Sequence, residues 1–171
     1  MPRSPARPPA LTADQAADYL AQEYLFLQKT IEEFDARALT IKAWSVTFSA
    51  AGLGLAYQQH NKVLLLVAAG SALAFWVVDA VWKYHQRAFY PRVFAIERWF
   101  AARAPDPAAA PFQVNTNWQS EFGRGVLDRI QTRRVDSLWK AYAIPFFVGV
   151  MMPHAAVFGA GVALYLLFPP R

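Results

Sequence analysis

The sequence predicts an all-α membrane protein: a long antiparallel helical hairpin, with two spans extended into cytoplasmic arms, plus a third span kinked by proline. Three observations predict this fold class. Apolar residues recur at alternating steps of four and three between Leu20 and Ile41, as on one face of an α-helix. Long apolar runs follow at 43–57, 62–82 and 141–168. Charged residues make up only 17% of the 171 residues, whereas soluble domains carry about 25%.

The first helix is predicted to begin at Thr12, because Thr12 and Gln15 fit a capping box. No Gly or Pro lies between Thr12 and Gly52, so one continuous helix is expected to pass from an amphipathic part into a membrane span. We call the apolar stripe of this helix the seam. It fits either an intramolecular hairpin or a stalk that oligomerises. Its residues are Leu20, Tyr24, Leu27, Ile31, Phe34, Ala38 and Ile41.

A short polar connection at 58–61 separates the first two apolar runs, which makes their helices antiparallel neighbours. The hairpin is therefore predicted over residues 12–104, with spans at about 42–58 and 62–82. Pro91 is expected to kink the returning arm. The apolar face of that arm consists of Phe89, Val93, Ile96 and Phe100.

The remaining segments differ in composition. Residues 1–11, rich in Pro and Arg, are predicted to be a disordered tail. Residues 105–117 are interpreted as a linker, and the basic stretch 118–143 as an interfacial or cytoplasmic helix. Residues 144–168 are long enough for one crossing but not two, so they are predicted to form the third span, kinked at Pro145 and Pro153.

The distribution of basic residues predicts the orientation. Ten Lys and Arg residues lie between the second and third spans, and five precede the first, whereas the short turn carries only Lys62. The positive-inside rule then places the N-terminus and both arms in the cytoplasm and the C-terminus on the outer side of the membrane. The lipid bilayer is thus the first predicted partner.

Two groups of polar residues stand out within the apolar runs. In the mirror register of the hairpin, Lys42 falls close to Asp79, which predicts an ion pair at the membrane edge. Lys83, one turn on, is an alternative partner, and a proton-carrying Asp79 is an alternative to a purely structural pair.

Ser49, Ser71 and His154 are predicted to form a second group, at the bilayer midplane. One expectation is that His154 hydrogen-bonds to a Ser hydroxyl or to a backbone carbonyl that a proline leaves without its helical partner. The alternative is that it lines an ion or proton path shared between protomers.

Three sequence blocks carry a family resemblance: residues 26–31 with 39–47, residues 75–80, and residues 137–147. Their motifs, Lys-X-Trp and Trp-X-X-Asp-Ala, correspond here to Lys42, Trp44, Trp76, Asp79 and Ala80. On these residues the chain resembles a family of small bacterial three-span helical membrane proteins of unassigned activity. The layout is also similar to that of two-helix membrane effectors of bacterial conflict systems. The resemblance implies a three-span helical fold and a location in the membrane, and it assigns no catalytic residue to this chain.

The sequence predicts no enzyme, no cofactor and no metal site. Cysteine is absent, and the motifs of zinc proteases, nucleotide-binding loops and serine hydrolases do not occur. The three histidines are far apart along the chain. The basic residues flank apolar segments, which argues for a membrane surface and against nucleic acid as the partner.

Two functions remain open. The first is a homo-oligomeric membrane effector, assembled through the arms, that forms a pore or perturbs the bilayer. The second is a membrane scaffold or accessory subunit that docks a cytoplasmic protein partner.

Overall fold

The computed structural model describes residues 11–102, 110–124 and 143–167. All regular structure within these residues is helical, which confirms the all-α class. The main helices are α1 (Ala13–Gln58), α2 (Val63–Arg87), α3 (Tyr90–Ala101), α4 (Val114–Gln119), α5 (Val148–Met151) and α6 (His154–Leu167). A π-helical turn (Ser120–Arg124) follows α4, and a 3-10 turn (Ile144–Phe146) precedes α5.

Helix α1 runs without interruption for 46 residues, or roughly 69 Å at about 1.5 Å per residue. The predicted capping box is present: Thr12 Oγ1 accepts the Gln15 N–H at 3.2 Å, and Gln15 Oε1 accepts the Thr12 N–H at 3.0 Å. Gly52 lies inside the helix, where it allows close packing. A Cβ at this position would lie 3.0 Å from the Ala68 Cβ on the opposing helix.

Helices α1 and α2 form an antiparallel hairpin. His60 turns the chain with a φ of 52°, a left-handed conformation that costs energy outside glycine. Asn61 Oδ1 accepts the Val63 N–H at 3.0 Å and so supports the start of α2. Side-chain contacts join the two sides of the hairpin in reverse order: Tyr24 with Glu97, Phe34 with Trp82, Lys42 with Asp79 and Ser49 with Ser71.

The returning side of the hairpin is interrupted once, between α2 and α3. The interruption covers Ala88 and Phe89, whose backbones both stay in the right-handed helical region. Pro91 follows in the first turn of α3, and it has no N–H to donate to the helix behind it. The proline therefore produces a short break at the place where a kink was predicted, and the arm ends at Ala101.

The segment after the hairpin becomes helical earlier than predicted. Helix α4 begins at Val114, inside the stretch 105–117 interpreted as a linker. Val114 packs against the apolar core of the arms, and this tertiary contact explains the earlier start. Only the first part of the predicted helix 118–143 is described, and residues 125–142 lie outside the described residues, as does the predicted tail up to residue 10.

The third predicted span is broken rather than kinked. Phe147 and Met152 are extended, with ψ of 133° and 137°, so residues 144–167 form two short helical pieces and then the 14-residue α6. At Met152 the cause is the following Pro153, because a residue before proline is sterically disfavoured in the α conformation. Helix α6 then lies against α2, where Gly161 closely approaches Leu65 and Ala69.

One helical stretch among the described residues, Val63–Ala101, is long and apolar enough to cross a membrane. Helix α6 is apolar but shorter. Core helices of soluble proteins can meet the same criteria of length and composition, so insertion into a membrane and the first and third spans stay predictions.

Candidate functional site

Four polar residues from three helices meet beside the junction of α2 and α6. Lys42 Nζ lies 2.5 Å from Asp79 Oδ2, which makes an ion pair between α1 and α2. His154 Nε2 lies 3.4 Å from the same carboxylate oxygen, and His154 Nδ1 lies 2.8 Å from Ser45 Oγ. We call these four residues the Lys42–Asp79 cluster.

The Lys42–Asp79 cluster is enclosed by protein on nearly every side. Ser45, Asp79 and His154 each have a relative exposure of 0%. Only the Lys42 side chain, 18% exposed, reaches the surface. A buried carboxylate requires a counter-ion, and Lys42 supplies it. The other carboxylate oxygen, Asp79 Oδ1, is buried and has no hydrogen-bond partner.

Local sequence explains how the cluster assembles. Lys42 and Ser45 are three residues apart on α1 and so project from the same side of that helix. Asp79 is on the facing side of α2, and His154 is the first residue of α6, directly after the break at Pro153. Next to the cluster, Trp76 Nε1 donates to the Pro145 carbonyl at 2.8 Å and ties the preceding turn to α2.

Lys83, the alternative partner predicted for Asp79, is engaged elsewhere. Its Nζ lies 3.0 Å from Asp35 Oδ1 on α1, in an exposed ion pair. The structure therefore joins Asp79 to Lys42 rather than to Lys83.

The structure corrects the predicted midplane group. Ser49 Oγ lies 3.1 Å from Ser71 Oγ and donates to the Ala68 carbonyl. His154 instead contacts Ser45, one helical turn before Ser49, because α6 starts at His154 rather than crossing it in mid-helix. The three residues thus divide between two sites.

The seam residues of the arms lie where α1 meets the returning side, with one correction. Phe100 is 50% exposed, and Trp99 packs against the core in its place. Trp99 and Phe100 follow Ile96 by three and four residues, and both steps keep a residue near the same helix face. The period alone therefore could not tell which of the two rings packs against the core. Leu20, Leu27, Ile31, Ala38, Val93 and Ile96 are buried, and Tyr24, Phe34, Ile41 and Phe89 are half-buried.

Sequence reasoning missed a second buried ion pair, in the arms. Arg92 Nε and Nη2 donate to Glu23 Oε1 and Oε2 at 2.7 and 2.9 Å. Arg92 Nη2 also donates to the Ala110 carbonyl at 2.8 Å, and the Phe112 N–H donates to Glu23 Oε2 at 3.0 Å. The sequence signal that could have indicated this pair is that each residue is adjacent to the apolar face of its helix. Glu23 directly precedes the seam residue Tyr24, and Arg92 directly precedes Val93.

An aromatic cluster beside α2 was also missed. Trp118 stacks on Phe122 with ring centroids 4.7 Å apart, and both rings contact His85. Trp118 Nε1 donates to the His85 carbonyl at 3.4 Å. These contacts hold the segment after the linker against the end of α2.

The chemistry of the Lys42–Asp79 cluster favours holding charge over catalysis. Ser45, His154 and Asp79 form a chain of hydroxyl, imidazole and carboxylate, as in serine hydrolases. A hydrolytic serine must meet its substrate, whereas Ser45 is fully buried. Among the described residues, no group of three or more His, Cys, Asp or Glu side chains could hold a metal ion.

Comparison with known proteins finds no matching family model, no matching curated protein and no matching solved structure. The resemblance to small three-span membrane proteins therefore stays a prediction, and the function must be inferred from this chain's own residues.

Proposed function

We propose that this chain is a non-enzymatic, multi-pass protein of the bacterial inner membrane that forms homo-oligomers through its helical arms. Its spans lie at about 42–58, 62–82 and within 144–168, and the arms and N-terminus face the cytoplasm. The family resemblance implies the three-span helical fold and the membrane.

The exposed surface of the hairpin supports the membrane part of the proposal. Val67, Val77 and Val81 on α2 are all more than half exposed. So is Trp44 on α1, which stacks along the helix on Phe48. Such apolar side chains are unfavourable in water but are at no disadvantage in lipid.

A second stripe on α1, apolar apart from Lys29 and Glu32, carries the oligomerisation proposal. We call it the outer stripe. It repeats at alternating steps of four and three, as a coiled-coil seam does, on the side of α1 that faces away from α2. Its residues are Leu25, Lys29, Glu32, Ala36, Leu39, Ala43, Val46 and Ala50, all of them exposed.

The outer stripe continues beyond the proposed membrane edge at Lys42. Leu25 and Leu39 are each 67% exposed and lie on the cytoplasmic arm, where lipid is not available to cover them. A second copy supplies a matching stripe, because insertion in one orientation makes the α1 helices of two copies parallel. In such a parallel pair Lys29 and Glu32 each lie opposite their own counterpart, and Glu32 of the other copy is one layer away from Lys29.

Cysteine cross-linking tests this arrangement. The chain has no native cysteine, so Leu39→Cys introduces a single thiol on the outer stripe. Oxidation in membranes should give a disulfide-linked dimer. Arg37→Cys is the matched control, since Arg37 is also exposed on α1 but projects away from the stripe. Equal cross-linking of the two variants, or none from Leu39→Cys, would contradict the proposed interface.

A pore-forming or membrane-perturbing effector is the more specific form of this function. Its test is dye release from liposomes by an oligomer of defined size. A verified oligomer that releases no dye would leave assembly in place but exclude the effector.

A groove between the arms favours the alternative, a scaffold that docks a cytoplasmic partner. The groove encloses about 570 Å³ and is lined by Tyr24, Leu25, Glu97 and Phe100 among others. Size in detergent distinguishes the two functions, because a scaffold of this kind predicts a monomer and the effector predicts a defined oligomer.

A further inference from the structure

The Asp79 carboxylate lies between two groups that can each carry a positive charge. Lys42 Nζ and His154 Nε2 both approach the same oxygen, Asp79 Oδ2. One carboxylate neutralises one cation, so the buried cluster is electrically neutral when Lys42 is charged and His154 is neutral. The arrangement thus contains one more candidate cation than it has negative charge.

The hydrogen bonds of the cluster leave room for an added proton. In neutral His154, one ring nitrogen donates and the other accepts, which fits Nε2–H donating to Asp79 and Nδ1 accepting from the Ser45 hydroxyl. A proton on Nδ1 makes both nitrogens donors, and Ser45 Oγ can then accept while its own O–H turns to an α1 carbonyl. Asp79 Oδ1, buried and without a partner, provides unused acceptor capacity.

Charge balance then determines the response of Lys42. With His154 protonated, the enclosed cluster would carry one excess positive charge, which is costly in a buried site. Lys42 is the one member whose side chain reaches the surface. Its withdrawal to water leaves a neutral pair of imidazolium and carboxylate.

Within the part of the chain that the structure describes, the surroundings provide few other ionisable groups. Helix α1 contributes Lys42 and Ser45, α2 contributes Asp79, and α6 contributes His154. The adjoining apolar cluster of Ala80, Ile144 and Val150 adds one phenol, that of Tyr84 on α2. Lys83, the next cation along α2, is paired with Asp35.

We propose that the Lys42–Asp79 cluster is a proton-binding site. It takes one proton from water onto His154 Nδ1, and Asp79 exchanges its counter-ion from Lys42 to His154. The proton comes from hydronium in the surrounding water, whose O–H bond breaks as the N–H bond forms, and the Lys42 ammonium moves to the surface. The inference rests on the geometry of the cluster and is independent of whether the chain oligomerises.

Nitrogen NMR of the imidazole tests the proposal on the full chain in lipid nanodiscs. Replacing His60 and His85 by Gln leaves His154 as the one histidine. Its two ring nitrogens should report a neutral tautomer at about pH 8 and an imidazolium at about pH 5. A neutral ring at both pH values would overturn the proposal, because a purely structural histidine in a buried site stays neutral.

Variants of the lysine separate proton binding from simple hydrogen bonding. Lys42→Met removes the competing cation, so His154 should be an imidazolium at both pH values. Lys42→Arg keeps the charge, and its spectra should follow those of the native chain. A neutral ring in Lys42→Met would contradict the exchange of counter-ions.

Proton uptake by the otherwise native chain gives an independent measurement. Between the same two pH values, His154→Gln should take up one proton fewer per chain than the native protein. His60→Gln is the comparison variant, since His60 is an exposed histidine in the turn, outside the Lys42–Asp79 cluster. Equal uptake by His154→Gln and the native protein would overturn the proposal even where a lysine variant fails to fold.

Discussion

The two buried ion pairs among the described residues differ in how completely their hydrogen-bonding groups are satisfied. In the arms, Glu23 and Arg92 meet through two parallel hydrogen bonds, and the backbone of residues 110–112 provides one further acceptor and one further donor. In the other half of the hairpin, Lys42 meets Asp79 at a single oxygen and leaves the second oxygen without a partner. The first pair is saturated and fixes geometry, whereas the second retains capacity to change partner.

The difference follows from the chemistry of the two cations. A guanidinium is planar, permanently charged and matched to both oxygens of a carboxylate. An ammonium is a compact charge on a flexible chain, so Lys42 can reach Asp79 from a position that is still partly exposed. The saturated pair is therefore the more sensitive of the two to loss of one member.

Arg92→Met should give the largest loss of stability, about 3–5 kcal/mol, because it leaves Glu23 buried without its counter-ion. Denaturant unfolding in detergent measures the free energy of unfolding. Arg98→Met is the matched control on α3, since the Arg98 guanidinium is exposed and donates to the Phe94 carbonyl within its own helix. A comparable loss in Arg98→Met would show that the effect belongs to the helix and not to the pair.

Lys42→Met should cost less than Arg92→Met, about 1–3 kcal/mol, because His154 remains as a second partner for Asp79. The same unfolding measurement compares the two variants. Adding Asp79→Asn to Lys42→Met removes the stranded charge and should recover part of the loss. A loss as large as that of Arg92→Met would mean that His154 does not replace Lys42.

Lys83→Met should have the smallest effect, under about 1 kcal/mol, because exposed ion pairs gain little in water. Its side chain and that of Asp35 are 30% and 54% exposed. This loss in the free energy of unfolding is the baseline for an exposed ion pair that joins the same two sides of the hairpin. An effect above that of Lys42→Met would reverse the order expected from burial.

Much of the hairpin could be predicted from the sequence because its determinants are local or periodic. The capping box at Thr12 needs only Gln15 three residues later, and it is present. The long uninterrupted α1 follows from the absence of helix breakers before Gly52. The mirror register that brings Lys42 to Asp79 follows from two helices joined by a short turn.

The sequence by itself thus determined the helical class, the start of α1 and the approximate pairing of the hairpin, since each depends on neighbouring residues or on a helical repeat. Only the tertiary structure decided that His154 meets Asp79 and Ser45, because that contact depends on where α6 starts after Pro153 and how closely Gly161 lets it approach α2. It also decided that Arg92 would be buried against Glu23. Long polar side chains have no periodic signature, and their partners are set by packing between distant parts of the chain.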